Sequence, residues 1–147
     1  TSRSPVSELV RGSFEEVLDD AGVTDPSAVR RVVFASGKVA VETQAERDRR
    51  GAPVAIARVE QLYPWPYEAV KSTLARYSNA TEIVWLQEEP ENMGPWNHIK
   101  GRLYEAHENT HTIRRVSRQE SASPATGVLA IHQAEQHDLF DGVLSDL

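Results

Sequence analysis

The sequence predicts an α/β fold, a three-layer sandwich in which a mainly parallel sheet lies between helices on both faces. Three observations carry it. Short, near-continuous apolar runs recur at "RVVFA" (31–35), "VAIARV" (54–59) and "EIVWLQ" (82–87), as strands buried on both faces require. Segments of helical periodicity alternate with these runs. Right-handed crossovers then join parallel neighbours.

Taken in order, residues 4–20 read as a helix. Ser4 can cap it, Pro5 suits its first position, and Val6, Leu9, Val10, Phe14, Val17 and Leu18 fall on one face. With Asp25-Pro26, which caps a short second helix or makes a turn, residues 1–30 form a helical lead-in. Strand 31–35 is turned by Ser36-Gly37-Lys38, and 38–50 suits a helix ended by Gly51. After strand 54–59 and the loop "EQLYPWP", 66–77 is a helix with Val70, Leu74 and Tyr77 on one side. Strand 82–87 empties into "QEEPENMGPW", and 96–106 is helical. "TIRRVS" (112–117) is a fourth strand, expected at an edge because polar residues interrupt it. A closing amphipathic helix, 127–140, carries Val128, Ile131, Ala134, Glu135 and Leu139.

The 147 residues suit a single domain, 39% hydrophobic and 26% charged, as in a soluble globular protein. A net charge of -6 gives no bulk attraction to nucleic acid or anionic membrane. No apolar run approaches the roughly 20 residues that span a bilayer, and no signal-peptide pattern opens the chain. Without cysteine there is no disulfide, thiolate zinc site or cysteine nucleophile, and a cytoplasmic location fits. The opening "TSRSPV" has no initiating methionine, so the domain is expected to be part of something longer.

In parallel sheets ligands sit at the carboxyl ends of strands, near a switch in strand order. The loops "SGK", "EQLYPWP" and "QEEPENMGPW" leave such ends. Helix-start amides beside Ser36 and Lys38 could hold an anion. A phosphate-cradling loop would need glycine at position 32 and Ser or Thr at 39, and both are valine. The plainer reading is a serine cap and a glycine turn. Glu88 and Glu89 could be an acid/base pair, but strand alternation sends neighbours to opposite sides, and acid/base work needs convergence. The plainer reading is a clasp, one glutamate accepting backbone N–H groups of the proline-rich loop or pairing with an arginine of a neighbouring chain. His98, His107, His111, His132 and His137 never fall in a spacing such as HExxH. No nucleophile elbow is present.

"FASGKVAVE", "VAIARVEQLYPWP", "IVWLQEEPENMGPWNHI", "RRVSRQESASPATG" and "HQAEQHDLF" stand in an order that resembles the C-terminal region of the 2-oxoglutarate dehydrogenase decarboxylating component. That family includes the actinobacterial 2-oxoglutarate decarboxylases, and "EQLYPWP" and "QEEPxNMGxW" are its specific motifs. The resemblance runs from about residue 31 to 140. It implies a transketolase C-terminal-like domain, with a mostly parallel five-stranded sheet, one strand of it antiparallel. It implies a homodimeric parent using thiamine diphosphate and Mg, both held by upstream domains, so this chain would hold no cofactor and no catalytic residue. The parent would decarboxylate 2-oxoglutarate in the tricarboxylic acid cycle and pass succinyl to a lipoyl group on a partner acyltransferase.

Some actinobacterial relatives also bind acetyl-CoA as an allosteric activator, and Gln61 matches a position in that site. Glu68 and Ala69 stand where those relatives carry adjacent arginines, and Ser13 and Glu16 replace a lysine and a serine. Lost cations and added carboxylates imply weak binding of the anion. The expected role is dimer architecture and regulation, with Tyr63, Trp65, Met93 and Trp96 as interface anchors alongside Glu88 and Glu89; Trp96 equally suits the core. The alternatives are a free-standing regulatory module that binds CoA or another anion, and a small enzyme that uses Glu88 and Glu89.

Overall fold

The computed structural model describes Val6, Val10 and residues 12–147. Along the chain the elements are β1 (Val17–Leu18), a 3-10 turn (Pro26–Ala28), β2 (Arg31–Ala35) and α1 (Lys38–Arg50). Then follow β3 (Val54–Val59), α2 (Tyr67–Arg76), β4 (Glu82–Pro90), α3 (Trp96–His107), β5 (Thr112–Arg118) and α4 (Leu129–Leu144). One sheet forms in the order β1-β3-β2-β4-β5. β1 runs antiparallel to β3 and the other three pairings are parallel, so the sheet is mixed. The α/β class is the expected one.

Strand residues alternate between two apolar layers. Val32, Phe34, Ile83 and Trp85 meet Val70 and Leu74 of α2 and Trp96, Ile99 and Leu103 of α3. Val33, Ala35, Val84 and Leu86 meet Val39 and Ala40 of α1 and Leu139 and Val143 of α4. β5 is an edge strand, as its polar interruptions foretold. No helix among the described residues is long and apolar enough to cross a membrane.

The helix expected over 4–20 is the main correction. Ser4, Pro5 and Leu9 lie outside the described residues, and Val6 and Val10 are helical as expected, but residues 12–16 are not helical and Val17–Leu18 are a strand. A long-range competitor wins here, because local propensity is a weak prior. The Glu16 carbonyl accepts the Glu60 and Gln61 N–H groups (2.9 and 3.1 Å), and β1 pairs along the edge of β3. Two smaller differences concern element ends. β4 runs on to Pro90 past an irregularity after Leu86, and α4 starts and ends later than its periodicity suggested.

Two charge systems, one buried and one part-buried, fasten the layers. Arg47 on α1 donates to both Asp20 carboxylate oxygens (2.8 and 3.1 Å) and to the Val54 carbonyl (2.8 Å). Asp20 also accepts the Ile56 and Gly22 N–H groups (2.8 and 3.0 Å). At the other system, Glu82 accepts from Arg31 and Arg114. Those guanidiniums also cap the last carbonyls of α4, Arg31 on Val143 (2.6 Å) and Arg114 on Gly142 (2.8 Å), where cations are favoured.

Candidate functional site

β2 and β4 are neighbours, yet the chain leaves them in opposite directions. From β2 it passes through α1 to β3, and from β4 through α3 to β5. The crevice between their carboxyl ends is therefore the topological switch point, where such sheets place ligands. It measures about 210 Å³ and is lined by Ser36, Gly37 and Lys38 on one side and Gln87, Glu88 and Glu89 on the other. Sequence reasoning picked Ser36, Lys38, Glu88 and Glu89 among these, and the structure brings the four together. Gln61 is not in the lining.

The "SGK" side differs from expectation in one detail. Gly37, with φ 73°, is the N-cap of α1, and no side chain caps the helix. Ser36 sits one residue too early for the serine cap. The Lys38 ammonium lies 2.7 Å from the Glu42 carboxylate. Hydrogen bonding to Glu42, then its charge, and to a lesser extent the Glu88 charge, raise the Lys38 pKa. Its charge is thus largely matched on its own helix.

Gln87 organises the other side. It is buried (2% exposed), and every polar atom of its amide is used. Its Oε1 accepts from the Trp85 indole N–H and the Trp96 backbone N–H, both at 3.1 Å. Its Nε2 donates to the carbonyls of Met93 (2.8 Å), Pro90 (3.0 Å) and Glu89 (3.3 Å). One side chain thereby closes the whole loop from β4 to α3. Glu88 and Glu89 are half-buried, and among the described residues no hydrogen-bond donor reaches either carboxylate. Within this chain the loop closure expected of the glutamates is made by their neighbour. The signal was an amide at the end of an apolar run, directly before a turn, where burial demands full pairing.

Gly94 is required by this closure. Its φ is +69°, and a Cβ there would lie 3.0 Å from Gln87 Nε2 and 3.1 Å from Glu89 Cβ. Gly94→Ala is expected to destabilise the chain by about 2 kcal/mol through left-handed strain and this collision. Urea denaturation would show it as a lower midpoint at unchanged slope.

The remaining candidates separate by burial. Trp65 and Trp96 are 5% and 8% exposed and belong to the core under α2 and α3. Trp96 sits edge-on to Tyr104 (6.5 Å between centroids) with Arg115 over its ring (5.9 Å). Tyr63 is 77% exposed beside His98, and Met93 is half-buried. The Gln61 amide donates to the Pro64 carbonyl (2.9 Å) and to the Glu16 carboxylate (3.2 Å). Ser13 and Glu68 are exposed. The rings of His107 and His111 are 6.2 Å apart. Burial lowers the pKa of both, with the charge of His111 adding to the effect on His107. Among the described residues no group of three His, Cys, Asp or Glu side chains could hold a metal ion.

Comparison with known proteins gives a consistent result. The family model for 2-oxoglutarate dehydrogenase C-terminal matches residues 3–144. The chain is 39% identical over 145 residues to the 2-oxoglutarate dehydrogenase E1 component of Cupriavidus necator, covering 98% of this chain and 15% of that protein. It is 38% identical over 148 residues to the E1 component of Bacillus pumilus, covering 98% and 16%. It is 39% identical over 129 residues to the 2-oxoglutarate dehydrogenase E1/E2 component of Corynebacterium glutamicum, covering 87% and 11%. The chain thus spans less than a fifth of the length of these relatives.

Proposed function

The chain belongs to the 2-oxoglutarate dehydrogenase C-terminal family, and from that premise we propose that it is the C-terminal domain of a thiamine-diphosphate-dependent 2-oxoglutarate dehydrogenase or decarboxylase. The parent decarboxylates 2-oxoglutarate and transfers succinyl to a lipoyl group of a partner acyltransferase. This domain is architectural. It supports the homodimer and the approach to an active site built by other parts of the polypeptide.

The observation that carries this reading is the use of the switch-point crevice. Its most buried polar group, Gln87, is committed to loop closure, and the two carboxylates beside it have no donor among the described residues. Thiamine diphosphate and its divalent cation do not fit the residues present. The divalent cation would need carboxylates and other oxygen ligands brought together, and among the described residues no group of three His, Cys, Asp or Glu side chains is placed to supply them. The cofactor is assigned to the upstream domains. Tyr63 and Met93, exposed and half-exposed on neighbouring loops, are the interface anchors of choice, while Trp65 and Trp96 support them from the core. Acetyl-CoA binds weakly, because Gln61 is already bonded and the Glu16 carboxylate stands beside it.

Purified parent enzyme given 2-oxoglutarate, thiamine diphosphate and Mg should release carbon dioxide, and this chain alone should not. Acetyl-CoA should change the parent's rate by less than about twofold, since a coupling free energy below 0.5 kcal/mol is all such a site supports. Turnover by the chain alone would overturn the reading, and strong activation would overturn the acetyl-CoA part of it.

A further inference from the structure

β5 ends the sheet on its side, and three hydrogen bonds fix which of its backbone groups face which way. The Thr112 N–H donates to the Thr81 carbonyl (2.9 Å), and the Arg118 carbonyl accepts the Glu91 N–H (3.0 Å), both toward the β4 side. The Ile113 carbonyl instead points outward, where the Tyr104 hydroxyl donates to it (3.2 Å). Because alternate residues of a strand direct their backbone groups to opposite neighbours, Arg115 and Ser117 present N–H and C=O outward. Among the described residues no loop or side-chain hydrogen bond reaches these four groups. A row of this kind is a template for another strand.

A groove of about 570 Å³ runs beside this edge on the α4 side, lined by Ser117, Arg118, Glu120, Ser121, Glu135 and Asp138. Its charges do not cancel. Arg114 and Arg115 are committed to Glu82 and Glu91, and Arg118 lies against Glu135 at 3.5 Å. Glu120 and Asp138 have no cationic partner among the described residues. The Arg118–Glu135 contact is itself imperfect. Arg118 Nε and Glu135 Oε2 are buried without a hydrogen bond, so this pair is not fully satisfied within the chain.

We propose that the outer edge of β5 accepts an extended segment of another polypeptide as a sixth strand, with alternate residues basic and lodged among Glu120, Glu135 and Asp138. Main-chain pairing to Arg115 and Ser117 supplies affinity, and the acidic groove selects the side chains on that face. On the opposite face the added strand meets Tyr104, which suits neutral or apolar residues. A second copy of β5 is a poorer occupant, because its arginines are held by its own carboxylates.

The probe is an acetylated, amidated heptapeptide of alternating threonine and lysine, titrated into this chain with backbone amide exchange as readout. The Arg115 and Ser117 amides should exchange at least about tenfold more slowly at saturation, and glutamate in place of lysine should weaken binding by at least about tenfold. Glu120→Lys combined with Asp138→Lys should weaken it similarly. Three results overturn the proposal: no slowing at these amides at millimolar peptide, slowing confined to other amides, or equal binding of the glutamate peptide. Slowing that follows protein concentration and needs no peptide would assign the edge to a second copy instead.

Discussion

Replacing Gln87 with alanine lowers the unfolding free energy by about 3 kcal/mol, because several buried groups lose their partner together. The Trp85 indole N–H and Trp96 N–H lose an acceptor, and the carbonyls of Glu89, Pro90 and Met93 lose a donor. Water entering the cavity would recover part of this, which keeps the figure below the sum of five separate losses. Gln87→Glu is expected to be worse at neutral pH. It retains an acceptor but sets a carboxylate against three carbonyl oxygens, a buried charge with no compensation. Chemical denaturation of the two variants would rank them, and equal stability of the alanine variant and the parent chain would remove the clasp from the account.

Asp20→Ala is expected to cost more, about 4 kcal/mol, within the range seen when one partner of a buried ion pair is removed. Asp20 is 1% exposed and Arg47 6% exposed. Burial alone would lower the Arg47 pKa, but its hydrogen bonds to Asp20 and the Asp20 charge outweigh that and raise it. Without Asp20 the guanidinium stays buried beside the Val54 carbonyl, and the Ile56 and Gly22 N–H groups lose their acceptor. Asp20→Asn keeps an acceptor for those amides and should cost roughly half as much. Thermal melts of the two variants test the order. Equal losses for alanine and asparagine would mean that the charge, which both remove, rather than the hydrogen bonds, dominates.

The central strands were legible because their constraint is local. "RVVFA" and "VAIARV" are buried on both faces, and a strand buried in that way reads as an unbroken apolar run. The αL glycine Gly51 likewise marked the end of α1 where it stands. β1 was not legible. Val17 and Leu18 continue a helical periodicity begun at Val6, and what overrides it is pairing with β3, fastened by the Asp20 carboxylate, whose partners lie 27 and 36 residues away. No local window contains that information. The same holds at the site. The motif "QEEP" drew attention to the two glutamates, since charge is conspicuous in a sequence. The residue that closes the loop is the neutral amide beside them, and its five contacts depend on how β4, the loop and α3 converge.

The most direct test of the architectural reading is turnover of the parent enzyme carrying Glu88→Gln or Glu89→Gln, with stability measured alongside. If the carboxyl edge of this domain is a loop clasp, each variant keeps kcat within about twofold and stability within about 0.5 kcal/mol, as for substitutions that break no buried pairing. A fall in kcat of about a hundredfold or more at unchanged stability, the size lost with a general acid or base, would place one of these glutamates in the chemistry and contradict it.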